Sequence, residues 1–171
     1  MEIINNLQKL KKLDSRSVVT IGNFDGIHAG HKELINETLT LANVNNMNPV
    51  VLTFDPLPEE FFERNNFFKL MPISDKLEYF RKVGIKTVIK IPFTKQFSET
   101  SAPIFIREIL INKLQTKYLI VGEDFKFGRN RDGNYNTLLN EKKFETKKVS
   151  IIRDSDTKIS SSMIRDLIVA G

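Results

Sequence analysis

The stretch Val18-Val-Thr-Ile-Gly-Asn-Phe-Asp-Gly-Ile-His-Ala-Gly-His31 decides how the rest of the chain is read. Its opening, Val18 to Ile21, is a short apolar run closed by Gly22, the pattern of a buried strand. After the polar segment Asn23 to Gly30, residues His31 to Val44 carry Leu34, Ile35, Thr38, Leu39 and Ala42 at spacings of three and four, which predict an amphipathic helix. Pro49 to Phe54 is again a β-rich run, broken by Asp55, Pro56 and Pro58. Strand, helix and strand in that order make a parallel β-α-β unit.

The alternation continues outward from that unit. A helix is predicted from Ser74, read as its N-cap, through Leu77, Phe80 and Val83 to a stop at Gly84, followed by a strand at Thr87 to Ile91. Ala102 to Leu114 reads as a helix and Tyr118 to Val121 as a strand. A glycine- and charge-rich loop, Gly122 to Asn134, precedes a short helix near Leu138, a strand around Lys148 to Ile152 and a last helix from about Ser160. This pattern predicts one α/β domain over residues 1–171: a doubly wound, Rossmann-like parallel sheet with helices on both faces. Ligands of such sheets bind beyond the carboxyl ends of the strands. Three loops therefore hold the candidate site: Gly22 to His31, Gly122 to Asn134 and Asp154 to Ser162.

Composition narrows the chemistry. With 171 residues, 40% hydrophobic and 27% charged, the chain has the make-up of an ordinary globular domain rather than a disordered segment. The absence of cysteine excludes disulfides, zinc-thiolate centres, iron–sulfur clusters and thiol nucleophiles. Lys117 to Val121 and Pro103 to Leu110, the longest apolar stretches, fall short of the ~20 residues that span a bilayer. Met1 to Leu13 lacks the marks of a signal peptide, so the reading is cytoplasmic, with no membrane partner. A formal charge of +5 suits an anionic ligand. Lys142, Lys143, Lys147 and Lys148 read as a solvated face, and neither a stacked-aromatic RNA motif nor a DNA-reading helix is found, so no nucleic-acid partner is expected.

The first loop holds both histidines of the chain, His28 and His31, at the mouth of a helix. Gly22, Gly26 and Gly30 let backbone approach a ligand, and the unpaired N–H groups of the helix start attract phosphate. The same residues also admit a plain reading, glycines for turns and satisfied histidines, and a metal-binding one for the His pair. The third loop, Lys158-Ile-Ser-Ser-Ser-Met-Ile-Arg165, sets three hydroxyls at a helix start with a guanidinium one turn later. Its plain reading is a serine N-cap and a solvated arginine. The middle loop mixes Phe125 and Phe127 with Lys126, Arg129 and Arg131, and reads equally as a surface loop with two core rings.

Together these segments resemble a family. Gly-Asn-Phe-Asp-Gly-Ile-His-Ala-Gly-His (22–31), Val-Gly-Glu-Asp-Phe-Lys-Phe-Gly (121–128) with Arg131 and Asn134, and Ile-Ser-Ser-Ser-Met-Ile-Arg (159–165) are similar to the FMN adenylyltransferase (FAD synthetase) module. That module forms the N-terminal part of the bacterial bifunctional riboflavin kinase/FMN adenylyltransferase. The His-x-Gly-His and serine-rich loops mark the wider nucleotidylyltransferase superfamily, whereas the Phe-Asp-Gly start and the Asp-Phe-x-Phe-Gly loop point to its flavin branch. Phe54-Asp55-Pro56-Leu57-Pro58 is similar to the family's Thr-Phe-x-Pro-x-Pro segment, and the likeness runs from about Leu13 to Gly171. Ser162 stands where the family usually has threonine, and nothing here resembles the riboflavin kinase barrel. A kinase domain fused to or associated with this module is the implied partner, and kinase activity is not expected from these residues.

The resemblance implies transfer of AMP from ATP to the phosphate of FMN, giving FAD and pyrophosphate by direct in-line attack, with Mg²⁺ accompanying ATP. It implies catalytic roles for His28, His31 and Arg165. ATP would be held by Gly22, Phe24, Gly30, Gly122, Asp124, Ser161 and Ser162. For the flavin ring the candidates are Phe54, Phe97, Phe125 and Phe127, with Phe93 also in reach of a strand end, and Arg129 and Arg131 could meet its phosphate. No protein side chain is assigned to metal, although Asp25 and Asp55 could orient a histidine or bind Mg²⁺ through water. A sibling enzyme with another phosphorylated acceptor, such as glycerol 3-phosphate or pantetheine phosphate, would share the His loop but would not need the Phe-rich one.

Overall fold

The computed structural model describes residues 1–62, 67–150, 153–154 and 157–171. The strands in chain order are β1 (Glu2–Ile4), β2 (Ser17–Ile21), β3 (Asn48–Phe54), β4 (Thr87–Ile91), β5 (Thr116–Gly122), β6 (Lys126–Phe127), β7 (Gly133–Asn134), β8 (Glu145–Val149), β9 (Arg153–Asp154) and β10 (Thr157–Lys158). Six of them form a parallel sheet of order β1-β4-β3-β2-β5-β8, and β6-β7 and β9-β10 are small antiparallel pairs. The helices are α1 (Ala29–Val44), α2 (Pro58–Phe62), α3 (Ile73–Val83), α4 (Lys95–Ser98), α5 (Ala102–Ile104), which runs on as a π-helix over Phe105–Lys113, α6 (Tyr135–Leu139) and α7 (Ser161–Ala170).

The strands sort two cores by their period of two. Val18, Val51, Val88 and Ile120 face Leu34, Ile35 and Ala42 of α1 and Phe80 of α3. Their neighbours Val19, Ile21, Val50, Leu52, Ile89, Ile91, Leu119 and Val121 face Phe105, Ile106, Ile109 and Leu110 of the π-helix and Leu138 of α6. Both faces of the sheet are thus covered, which is why β2 and β3 are nearly unbroken apolar runs.

Several boundaries differ from the sequence reading. Ser74 is not a cap: α3 begins at Ile73 after Pro72, and the Ser74 hydroxyl donates to Asp75 at 2.9 Å. Gly84 does end that helix, at φ 99°, the left-handed conformation that glycine tolerates. The strand expected at Lys148 to Ile152 lies earlier, at Glu145–Val149; residues 151–152 lie outside the described residues. As the sheet's edge it exposes Glu145, Lys147 and Lys148, and these polar residues hide its periodicity. Three residues of β1 are too few to show a period, yet they close the opposite edge against β4.

Strand order reverses between β2 and β5. From β2 the sheet grows through β3 and β4 on one side and jumps to β5 and β8 on the other. The loops leaving the carboxyl ends of β2 and β5 therefore flank one crevice at the topological switch point.

Candidate active site

The first loop leaves β2 at Gly22, whose N–H donates to Leu52 O at 3.1 Å and carries the ladder one residue past the strand. A Cβ there would press on the Phe24 ring at 3.2 Å. Phe24 (φ 50°), Gly26 (φ 77°) and Ile27 (φ 43°) all lie in the left-handed region, unusual for a β-branched residue. Such backbone persists only where its surroundings hold it, and it concentrates at functional sites. The surroundings are visible: Phe24 is wholly buried, edge-on to Phe80 at 5.4 Å and 5.2 Å from the His31 ring. The Phe24 ring, with no exposed surface, forms a wall behind the imidazoles, which leaves its backbone as the part that could meet ATP.

His28 ends the loop as the N-cap of α1 and makes no side-chain cap bond. The first intrahelical bond runs from Lys32 N–H to His28 O, so the amides of Ala29, Gly30 and His31 lack helical acceptors. No acidic residue occupies this first turn to compete for an anion. The His28 and His31 rings stack at 3.6 Å with 25° between planes. Gly30 permits this, since a Cβ there would stand 3.2 Å from Cε1 and 3.3 Å from Nδ1 of His28. His31 Nδ1 is buried with no hydrogen-bond partner. Burial, reinforced by the charges of His28 and Lys76, lowers the His31 pKa from 6.5 to about 3. It is neutral at pH 7.

Lys76 of α3, unnoticed in the sequence, is buried beneath the loop and donates from Nζ to Asn23 O at 2.7 Å. Burial lowers its pKa, opposed by the charges of Asp25, Asp55 and Glu59. The Asn23 amide in turn donates to both oxygens of Glu59, at 2.8 and 2.7 Å. The loop is thus pinned from behind by two elements, α2 and α3.

The third loop arrives at the same place. Ser160 caps α7, its Oγ accepting from Met163 N at 3.3 Å, Ser161 Oγ donates to Asp25 O at 2.8 Å, and Ser162 is exposed. Arg165 donates from Nη2 to the Asp25 carboxylate and from Nε to Phe68 O at 2.9 Å. Asp25 thus holds Arg165, and its oxygens also accept from Leu70 N and Met71 N at 3.1 Å. Asp55 is similarly occupied, by Lys69 at 3.1 Å and Lys90 at 3.4 Å. Burial works against its charge, but these two lysines outweigh it and hold its carboxyl below the usual range.

The middle loop begins at Gly122, which is followed by exposed Asp124 on the β5 side of the crevice. The β6-β7 hairpin carries Arg129 and Arg131 exposed at its tip. Phe127 is buried in the core, a wall rather than a lining, while Phe125 stacks on it at 5.5 Å and 14°. The structure joins the four flavin candidates into one aromatic row. Phe54 meets Phe93 and Phe97 at 5.8 Å, Phe97 meets Phe105 at 6.4 Å, and Phe105 meets Phe127 at 5.5 Å. Phe61 and Phe62, absent from the sequence reading, extend the row through Phe93 at 5.7 Å. Among the described residues no three His, Asp or Glu side chains gather as a metal would require.

Comparison with known proteins now bears on this arrangement. The FAD synthetase family model matches residues 10–163. The chain belongs to the FAD synthetase family. A bifunctional riboflavin kinase/FMN adenylyltransferase from Buchnera aphidicola is 37% identical over 99% of the chain, which spans 56% of that relative's length. Among solved structures, a Streptococcus pneumoniae protein described as a macrolide-efflux protein superposes with a TM-score of 0.85 at 27% identity, covering 99% of this chain and 57% of the other. A pantoate-beta-alanine ligase from Francisella tularensis, TM-score 0.57 at 12% identity over 99% of this chain and 76% of its own, shares the fold. Among its described residues the chain has no helix long and apolar enough to cross a membrane.

Proposed function

We propose that the chain is an FMN adenylyltransferase, joining AMP from ATP to the phosphate of FMN and releasing pyrophosphate. The observation that carries this reading is the stacked His28–His31 pair at the start of α1, whose first amides lack helical acceptors, at the switch point. An FMN phosphate oxygen attacks the α-phosphorus of ATP; that P–O bond forms as the bond to the bridging oxygen of the β-phosphate breaks. No enzyme nucleophile is needed, and catalysis rests on positioning and charge stabilisation. The amides of Ala29 to His31 and the two imidazoles hold the triphosphate. A neutral His31 takes up a proton more readily once the phosphates lie beside it, because their charge opposes the burial that now depresses its pKa.

Ser162 and Arg165 approach from α7 to hold the outer phosphates, with Ser161 fastening that helix to the loop. Gly122 and Asp124 face the nucleoside across the crevice. The flavin ring lies along the Phe54, Phe97 and Phe125 row, and Arg129 and Arg131 answer its phosphate. Mg²⁺ accompanying ATP would be held by phosphate and water, as this hard ion tends to be, and would neutralise phosphate charge; among the described residues no cluster of three carboxylates or histidines is built to take it. The proposed enzyme works in the cytoplasm, next to a riboflavin-phosphorylating activity that would supply its FMN.

Purified protein mixed with ATP, Mg²⁺ and FMN should quench flavin fluorescence as FAD forms, whereas riboflavin in place of FMN should give no product, since it lacks the attacking phosphate. Turnover of a different phosphorylated acceptor with no FAD would overturn the flavin assignment.

A further inference from the structure

We propose that Asp25 is a positioning residue that aims the Arg165 guanidinium at the triphosphate site. This rests on the reading of Arg165 as a phosphate ligand. Asp25 is 1% exposed, lies three residues before His28, and collects segments from across the chain. Its carboxylate accepts from Leu70 N and Met71 N at 3.1 Å and from Arg165 Nη2, 140 positions away, while its carbonyl accepts the Ser161 hydroxyl at 2.8 Å. A carboxylate this buried needs a cation as well as amides, because removing its partner would leave an uncompensated charge.

Arg165 is fixed on three sides. Nε donates to Phe68 O at 2.9 Å, Nη2 meets Asp25, and the guanidinium lies 4.3 Å above the Phe67 ring. These contacts use two of the five N–H donors of a planar fork whose geometry suits phosphate. The fork is thus oriented before substrate arrives, and the remaining donors keep one bearing relative to the loop that bears His28 and His31. A freely rotating arginine would lose side-chain entropy on binding; this one has already lost it.

Asp25→Asn separates positioning from fastening. The asparagine carbonyl oxygen can still accept from the Leu70 and Met71 amides, but its NH₂ now faces the Arg165 NH₂, donor against donor. In a double-mutant cycle read by kcat/KM for ATP, Arg165→Met and Asp25→Asn should each lose at least about tenfold. The double variant should be no worse than Arg165→Met alone, within about twofold. Multiplying losses would show that Asp25 acts independently and would overturn the proposal while leaving the role of Arg165 intact. An Arg165→Met enzyme with unchanged kcat/KM for ATP would overturn the phosphate reading itself. Should Asp25→Asn fail to fold, Arg165→Lys decides: lysine keeps the charge but cannot hold Asp25 and Phe68 while reaching phosphate. It should lose activity nearly as Arg165→Met does, and full activity would refute positioning.

Discussion

His31→Ala should lower the rate of FAD formation by about 10²- to 10³-fold at pH 7.5, the range seen when one preorganised donor to a developing oxyanion is removed. The ring stacks on His28 and lies in the first turn of α1, so its loss takes a donor from the triphosphate without touching the sheet. Folding should survive, because the strands are untouched and the gap left by the ring opens only at the edge of the core, beside Phe24. The same variant has a second signature, in acid. Folded His31 binds a proton only near pH 3, whereas the unfolded residue binds one near its ordinary 6.5. Between those values the unfolded state holds more protons, so burying His31 costs no linkage stability above about pH 6.5 and an increasing amount as pH drops towards 3. Melting curves of His31→Ala should show a shallower decline over that window. Unchanged turnover, or parallel pH dependence in the two proteins, would contradict the assignment of this histidine.

Gly128→Ala should destabilise the protein by about 3 kcal/mol, combining about 1–2 kcal/mol for a left-handed alanine with a similar cost of overpacking. Gly128 lies at φ 77°, and a Cβ there would collide with Asp132 Oδ1 and stand 2.8 Å from Ala102 N and 3.0 Å from its Cα. Backbone atoms cannot swing aside as a side chain would. The hairpin must shift, drawing Phe127 from Phe105 at the end of the aromatic row, so the FMN concentration needed for half-maximal rate should rise as well. Gly122→Ala is the contrast: its Cβ would meet Asp124 Oδ1 at an ordinary 3.6 Å, and its φ is not left-handed. Urea denaturation should separate the two variants clearly. A Gly128→Ala protein as stable as wild type would show that the hairpin is looser than its contacts suggest.

The unequal legibility of these features in the sequence has physical causes. The β2-α1-β3 unit is plain because Val18 to Ile21 and Pro49 to Phe54 are short apolar runs and the buried face of α1 repeats at spacings of three and four. Strand order is different in kind, since nothing local tells β2 that its second neighbour is β5. Lys76 escaped notice although it lies four residues before buried Phe80 on the same helical stripe. Lysine at such a position ordinarily extends its ammonium to water, and here it finds a carbonyl instead. The Asp25–Arg165 contact joins residues 140 positions apart, so the motifs show each residue without showing that they touch. The phenylalanines were visible as aromatic, but only packing divides Phe24 and Phe127, which are walls, from Phe54, Phe97 and Phe125, which keep accessible surface.

A crystal of the protein grown with Mg²⁺ and a non-hydrolysable ATP analogue tests the central claim most directly. The triphosphate is expected against the amides of Ala29 to His31, within hydrogen-bond distance of both imidazoles. A triphosphate lodged elsewhere, with that helix start and its stacked rings untouched, would contradict the account.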